Sequence, residues 1–366
     1  MSHPIIESFK IENYGCIRNA TLRLSPLHAL IGPNDSGKST FLRALRTVSM
    51  FADQRESPFP DETLLWEALL SSVHHKHYPS FTVNSEGPPW WKLIHHVEGR
   101  IVTESLPDNT VPGGFRRRDI GYRRTPKSML LQQPFSDSSV AKATNGSFFL
   151  RLDPDALRSS SELIPDTNPF VFRDERGLGL PGVYDGILTR DTDAYRAIND
   201  QVRRLFPTVK SIRLKNVSTD RKALGVQLVD GTHVPAELMS EGLLYFLAFA
   251  AIPYLEPTAL LLLEEPENGL HPARIAEVMR ILREVSKTMQ VIIATHSPLV
   301  INELEGHEVT VVTRTPETGT QATLLKDTPN FEQRSKVYAL GELWVSYANG
   351  KDEAALLRPE KPGSSE

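Results

Sequence analysis

Hydrophobic and polar positions alternate near the N-terminus and then settle into longer periods. Phe9-Lys10-Ile11-Glu12 alternates, Tyr14-Gly15 breaks the pattern, and Ala20-Thr21-Leu22-Arg23-Leu24 alternates again, which predicts an antiparallel hairpin. Leu27 to Ile31 then reads as a short buried strand. Behind it Phe41, Leu42, Leu45 and Val48 recur at helical spacing. A helix is expected around Leu64 to Val73, and more sheet around Phe81 to Val83, Leu93 to Val97 and Arg100 to Val102. Between Pro107 and Pro181 proline, glycine, serine and arginine are frequent and periodicity is weak, so this stretch reads as irregular, inserted structure.

Periodicity returns with Tyr195, Ile198, Val202 and Leu205 on a helix from Thr192 to Phe206. Strands are expected at Ser211 to Leu214 and Leu224 to Val229, followed by an Asp230-Gly231 turn. Ser240 through Ile252 is apolar on nearly every side and suits a helix packed inside the fold. Ala259 to Leu263 is a continuous apolar run, the signature of a strand buried on both faces of a parallel sheet. Pro272 opens a helix with the stripe Ile275, Val278, Met279, Leu282 and Val285, and Gln290 to Ala294 returns as strand. A strand, helix and strand in that order require a crossover, so the sheet is at least partly parallel. A hairpin around Pro316 to Gly319, an amphipathic helix from Glu332 to Ala348 and a disordered tail complete the pattern. The expected organisation is 1–106 as the N-terminal part of a core, 107–190 as insertion, 191–350 as a helical lobe plus the rest of the core, and 351–366 as tail.

Composition narrows the classes. Lys and Arg total 41 against 45 Asp and Glu, which excludes a globally basic nucleic-acid binder and leaves local patches open. Cys16 is the single cysteine, so no intrachain disulfide can form and a reducing cytoplasm is the expected setting. No signal peptide is read at Met1 to Pro4. The longest apolar segment, Leu243 to Leu255, is interrupted by Pro253 and too short to cross a bilayer, so no membrane association is expected.

The candidate chemistry begins at Gly32-Pro33-Asn34-Asp35-Ser36-Gly37-Lys38-Ser39-Thr40, placed between a predicted strand and a predicted helix. Glycines at both ends let the backbone fold around phosphates with its N–H groups inward, and the helix adds its positive end. Lys38 is expected to reach the β- and γ-phosphates of ATP, and Ser39 to ligate Mg2+. Asp35 stands where many such loops carry glycine, and aspartate tolerates a left-handed backbone better than most residues. The strand ending in Glu264-Glu265-Pro266-Glu267 places two carboxylates at the edge where ligands of parallel sheets bind. Glu264 suits magnesium through a water and Glu265 suits polarising an attacking water. The next strand ends in Ala294-Thr295-His296-Ser297-Pro298, bringing His296 beside those acids, where it can hydrogen-bond a γ-phosphate.

These motifs, together with Ile11-Glu12-Asn13-Tyr14-Gly15, Ser240-Glu241-Gly242 and Leu340-Gly341-Glu342-Leu343-Trp344, resemble the ATPase heads of the ABC superfamily. The similar branch contains RecF, SMC proteins and the OLD ATPases, and within it the small stand-alone AAA-type ATP-binding proteins. The resemblance implies an α/β P-loop NTPase: a mixed, largely parallel core sheet, N-terminal antiparallel strands, and an inserted helical and irregular lobe. It also implies a homodimer sandwiching ATP, with Ser240 and Gly242 of one subunit facing Lys38, Ser39, Glu264, Glu265 and His296 of the other. From the residues alone Ser240 is a simple helix cap. Glu264 departs from the aspartate of most ABC ATPases, and Tyr245 stands where relatives often carry arginine. An ATP-driven conformational switch in DNA repair or phage defence, working with a nuclease or other effector protein, is what the resemblance implies. A nucleotide-sensing scaffold and, further off, a transporter ATPase are the alternatives.

Several features stay open at the level of sequence. Arg116, Arg117, Arg118, Arg123, Arg124 and Lys127, interleaved with Phe115 and Tyr122, fit either DNA phosphates or a solvated charge run. Tyr14 suits stacking on adenine or packing beneath the sheet. Gln132 and Gln133 are candidates for a Q-loop, and His74 to His77 with His95 and His96 lack the spacing of a metal site.

Overall fold

A computed structural model describes residues 5–52, 80–84, 90–96, 100–106, 117–120 and 146–348. The first hairpin forms as its alternation requires: β1 (Ser8–Tyr14) pairs antiparallel with β2 (Ile17–Arg23). β3 (Leu27–Ile31) is followed by α1 (Lys38–Ala52). β4 (Ser80–Asn84), β5 (Trp90–His96), β6 (Arg100–Leu106) and β7 (Arg117–Ile120) extend the hairpin into a six-stranded sheet of order β2-β1-β4-β5-β6-β7, antiparallel throughout.

Then come β8 (Ser147–Leu150), α2 (Pro154–Arg158), β9 (Ser161–Glu162), α3 (Leu180–Arg190) and α4 (Thr192–Leu205). β10 (Val209–Asn216), β11 (Arg221–Leu228) and β12 (His233–Pro235) form a small antiparallel sheet, with β9 also on β11. The chain continues through α5 (Glu241–Ala251), β13 (Leu260–Glu264), α6 (Pro272–Val285), β14 (Gln290–Thr295) and α7 (Pro298–Ile301). It closes with β15 (Val309–Thr315), β16 (Gly319–Leu324), α8 (Phe331–Arg334) and α9 (Leu340–Ala348).

The core sheet has the order β16-β15-β3-β14-β13-β8, parallel except for β16. Its central strands β3, β14 and β13 are buried at every position because both faces are covered. Leu27, Ala29, Ile31, Leu261, Leu263, Val291 and Ile293 point into one apolar cluster, shared with α3, α4, α5 and α6. The alternate residues Leu30, Leu260, Leu262, Ile292 and Ala294 point into the other, shared with α1 and the first hairpin. Each fully buried leucine contributes on the order of 2 kcal/mol. Tyr14 packs against this second cluster, and burial raises its phenol above the usual range, with Thr47 of α1 lowering it in part.

One buried polar residue ties the chain's start to this core. Gln290 accepts from Ile6 N–H at 2.9 Å and donates to Ile6 O at 2.9 Å and Ser25 O at 3.1 Å. Leucine at position 290 fills similar space and strips partners from three buried backbone groups. Gln290→Leu should therefore cost about 2 kcal/mol, the typical penalty for stranded buried groups, measured as a lower urea midpoint. An unchanged midpoint would mean that these bonds contribute nothing net.

Two expectations differ from the structure. The single helix from Glu332 to Ala348 is two helices, α8 and α9, separated at residues 335–339. A new start is fixed at Ala339, whose N–H donates to Glu342 Oε2 at 3.1 Å, while Gly341 N–H donates to Asn302 Oδ1 at 2.8 Å. Within the stretch read as irregular, Ser147–Leu150 is a core strand paired parallel with β13. Four residues are too few for a local pattern, and only the partner strand defines them. The helix expected at 64–73, Gln132, Gln133, His74 to His77, Arg116 and Arg123 to Lys127 lie outside the described residues. Arg117 and Arg118 lie on β7, at the edge of the antiparallel sheet.

Candidate functional site

The carboxyl ends of β3, β14, β13 and β8 lie side by side along one edge of the core sheet, and each carries polar residues. β3 opens into the phosphate loop. A Cβ on Gly32 would sit 2.1 Å from Val312 O, and Gly37 has φ 109° with Cys16 and Thr320 side chains 3.0 Å from where its Cβ would be. No other residue type fits this path. Asp35 takes the left-handed backbone at φ 65°, and Arg314 of β15 donates to its carboxylate at 3.0 Å. Thr320 donates to Ser36 O at 3.1 Å, so the hairpin β15-β16 braces the loop from outside.

Pro33, Asn34 and Asp35 are exposed, whereas the Ser36 hydroxyl is buried with no hydrogen-bond partner. Lys38, 8% exposed at the start of α1, curls back to donate to Gly32 O at 2.8 Å and Pro33 O at 2.9 Å. Desolvation pushes its ammonium below the usual lysine range, while Glu265, Glu267 and Glu264 pull it back. All three carboxylates thus lie within electrostatic reach of the lysine. Ser39 and Thr40 follow, half-buried in the first turn, with Thr40 Oγ1 3.4 Å from Cys16 Sγ.

Glu264 ends β13 as a buried carboxylate. Its Oε1 has no hydrogen-bond partner, and Oε2 lies 3.8 Å from the exposed guanidinium of Arg151 at the end of β8. Glu265 adopts φ 48°, a conformation that costs a non-glycine residue about 1 kcal/mol or more and persists where surroundings enforce it. Its N–H bonds Ala294 O at 2.8 Å, and Asn268 donates to its Oε2 at 2.7 Å. His296 Nδ1 sits 3.4 Å from Glu265 Oε1 and 3.7 Å from Glu267 Oε1. Glu264, Glu265, Arg151, Asp153, Asn268 and Tyr245 line a cleft of about 220 Å3.

Ser240 and Gly242 lie at the start of α5. The Ser240 hydroxyl is exposed and makes no capping bond, so the reading as a simple helix cap is not what the side chain does here. Gly242 touches the loop after the acids: a Cβ there would meet Gly269 O at 3.1 Å. Tyr245 is buried over Gly269, where an added methyl would lie 2.3 Å from its ring, and its hydroxyl reaches Leu152 O at 3.4 Å. Helix α5 is therefore keyed to the loop that follows the carboxylates.

The donors present fit magnesium and a nucleotide triphosphate. Magnesium takes hard oxygen ligands, and the orphaned Glu264 oxygen with the Ser39 hydroxyl supplies that type. The unpartnered Ser36 hydroxyl and the buried Lys38 ammonium suit phosphate oxygens. The sequence alone points to no role for Glu267, Arg151 or Asn268. Glu267 was visible in the Glu-Pro-Glu spacing, whereas Arg151 becomes adjacent only when β8 pairs with β13.

A family model described as "AAA domain, putative AbiEii toxin, Type IV TA system" matches residues 119–302, just over half of the 366-residue chain. A second, described as "AAA ATPase domain", matches residues 5–80. Among solved structures, an SMC head bound to the C-winged helix domain of ScpA is 17% identical, covering 87% of this chain and 97% of that one at TM-score 0.55. The SMC head domain with a coiled coil and joint from Pyrococcus yayanosii is 11% identical, covering 93% and 99% at TM-score 0.54. The head with an extended coiled coil from Pyrococcus furiosus, bound to the C-terminal domain of ScpA, is 14% identical, covering 87% and 96% at TM-score 0.52. No curated protein matches. At these identities the structures show a shared fold, the SMC-head form of the P-loop ATPase. Among the described residues no helix is long and apolar enough to cross a membrane.

Proposed function

The chain belongs to the AAA-domain family matched across its residues 119–302, and on that premise we propose that it is a magnesium-dependent ATPase whose two copies close around ATP and reopen on hydrolysis. The observation carrying this reading is the convergence of Lys38, Glu264, Glu265 and His296 on one sheet edge, with three carboxylates in the field of a single buried lysine. Lys38 and the amides of residues 32–37 hold the phosphates. Ser39 and Glu264 hold magnesium, which when bound neutralises charge on the phosphates. Glu265 orients the attacking water, and His296 donates to the γ-phosphate side of the site.

Ser240 and Gly242 serve the partner copy's nucleotide. The free hydroxyl at the N-terminus of α5 supports this, because helix N-termini present unpaired N–H groups and partial positive charge to anions. The proposed setting is DNA repair or phage defence with a separate effector, such as a nuclease, that reads the open or closed state. This rests on the likeness to RecF and OLD heads and on the toxin named in the family description. DNA contact through Arg116 to Lys127 belongs to the same proposal.

Phosphate release and binding of a fluorescent ATP analogue test the core of it. Lys38→Ala should weaken ATP binding about tenfold, the loss of one strong charge-assisted contact. Wild-type protein that binds ATP and releases no phosphate would move the assignment to nucleotide sensing without turnover. Tyr245 favours that second reading, since it is packed in cis where relatives often carry arginine.

A further inference from the structure

Glu267 is placed unlike either of the acids before it. Its side chain is 8% exposed. Oε1 accepts the Thr295 hydroxyl at 2.6 Å and the His296 N–H at 3.3 Å. The same Thr295 hydroxyl accepts the Ser297 N–H at 3.0 Å. One carboxylate oxygen therefore gathers the groups of three consecutive residues, 295, 296 and 297, around the point where β14 ends and His296 emerges. Oε2 is buried and without a hydrogen-bond partner, and the carboxylate also lies within the field of Lys38.

A buried carboxylate is costly, by several kcal/mol when its oxygens are incompletely paired. A turn could be stabilised more cheaply by backbone bonds alone. What this arrangement adds is directional control of one side chain: His296 is half-exposed, and its own ring makes contacts no shorter than 3.4 Å with the acids. Its position is set through its backbone rather than through its ring. Precision of this kind matters for a group that acts on a reacting phosphate, because small misplacements cost large factors in rate.

We propose that Glu267 is a positioning residue: through Thr295 and the amides of His296 and Ser297 it locks the end of β14 so that His296 faces the phosphate side of the site. It acts as a hydrogen-bond acceptor, so glutamine serves in its place. The kinetic arm of this inference rests on the ATPase reading above. A second arm does not.

The experiment uses the full chain, with Glu267→Ala, Glu267→Gln, Thr295→Val and the Ala/Val double variant, each checked for a wild-type thermal transition. Expected are a kcat for phosphate release about tenfold lower in Glu267→Ala with KM for ATP within about twofold, and at least half of wild-type kcat in Glu267→Gln. The double variant should lose no more than the worse single, since both substitutions break one relay. The independent readout is the 15N-histidine spectrum, with the His296 ring identified by its loss in His296→Ala. That signal should shift or broaden in Glu267→Ala and return to the wild-type position in Glu267→Gln. Absent hydrolysis in the wild type sinks the ATPase reading and leaves the spectrum to decide this one. An unmoved His296 signal in Glu267→Ala overturns the inference, as does a Glu267→Gln variant as impaired as the alanine. Should Glu267→Ala fail to fold, Thr295→Val and Glu267→Gln carry the same comparison.

Discussion

Glu265→Gln should lower phosphate release by roughly 100- to 1,000-fold while leaving ATP bound, the loss expected when a positioned general base is removed. The substitution keeps the length of the side chain, and its amide oxygen can still accept from Asn268, which now donates to Glu265 Oε2 at 2.7 Å. What it removes is the charge that polarises water, beside a histidine nitrogen at 3.4 Å. Glu265 also sits at φ 48°, held by its own N–H to Ala294 O, so its carboxylate is aimed by the backbone before any nucleotide arrives. With release blocked, ATP should trap the closed pair, and size exclusion in saturating ATP should show a dimer. A Glu265→Gln protein that turns over at the wild-type rate, or elutes as monomer when saturated with ATP, would remove the main support for the proposed switch.

The second large effect lies in the core. His28 is fully buried in β3, with Nδ1 3.0 Å from Ser25 Oγ and Nε2 2.8 Å from Thr310 Oγ1. Desolvation lowers its pKa to about 3, against a raising contribution from Glu308 and a further lowering one from His307. The folded pKa lies below the unfolded value of about 6.5, so as pH falls the unfolded chain takes the proton first. Stability from this group is present above pH 6.5 and is lost progressively as pH falls toward 3. Between pH 7 and pH 4 the loss should be about 3 kcal/mol, at about 1.4 kcal/mol per unit below the unfolded pKa. Urea unfolding of wild type and His28→Gln at the two pH values isolates it: the variant, with no imidazole to titrate, should lose about 3 kcal/mol less. Equal losses would show that His28 accepts its proton in the folded state. Because β3 carries the phosphate loop, the same acid range should weaken nucleotide binding through unfolding.

Much of the core was legible in residues whose meaning is local. The continuous apolar run at Leu260 to Leu263 can only be buried on both faces, and it forms β13 with its alternate leucines divided between two clusters. Gly32 to Lys38 reads as a phosphate loop because few sequences allow that backbone path, and the structure gives that path a left-handed Asp35 and Gly37. The acids after β13 and the histidine after β14 were expected to meet because parallel neighbours end at the same edge, and they do, at 3.4 Å. Ser147–Leu150 was not legible, being too short to show a period and defined by its neighbour alone. The break between α8 and α9 is not legible in the chain, because Val337 and Tyr338 are apolar residues that sequence alone would bury, yet both are exposed. Glu267 stands in the motif with no legible task, since its bonds run to residues twenty-eight to twenty-nine positions away.

By itself the sequence determined the elements whose physics is contained in a few neighbouring residues: glycine backbone freedom, apolar periodicity, and the acids that end a strand. Tertiary structure alone decided how deeply each charge is buried and that β8, too short to read, stands beside β13. The order β3-β14-β13-β8 places Lys38, His296, Glu264 and Arg151 in one row; the β13-α6-β14 crossover is legible in the chain, whereas β3 and β8 join it through pairings with strands far away in sequence. Burial likewise depends on what packs from elsewhere, as with His28 held neutral beneath Ser25 and Thr310, and Glu267 enclosed beside Thr295.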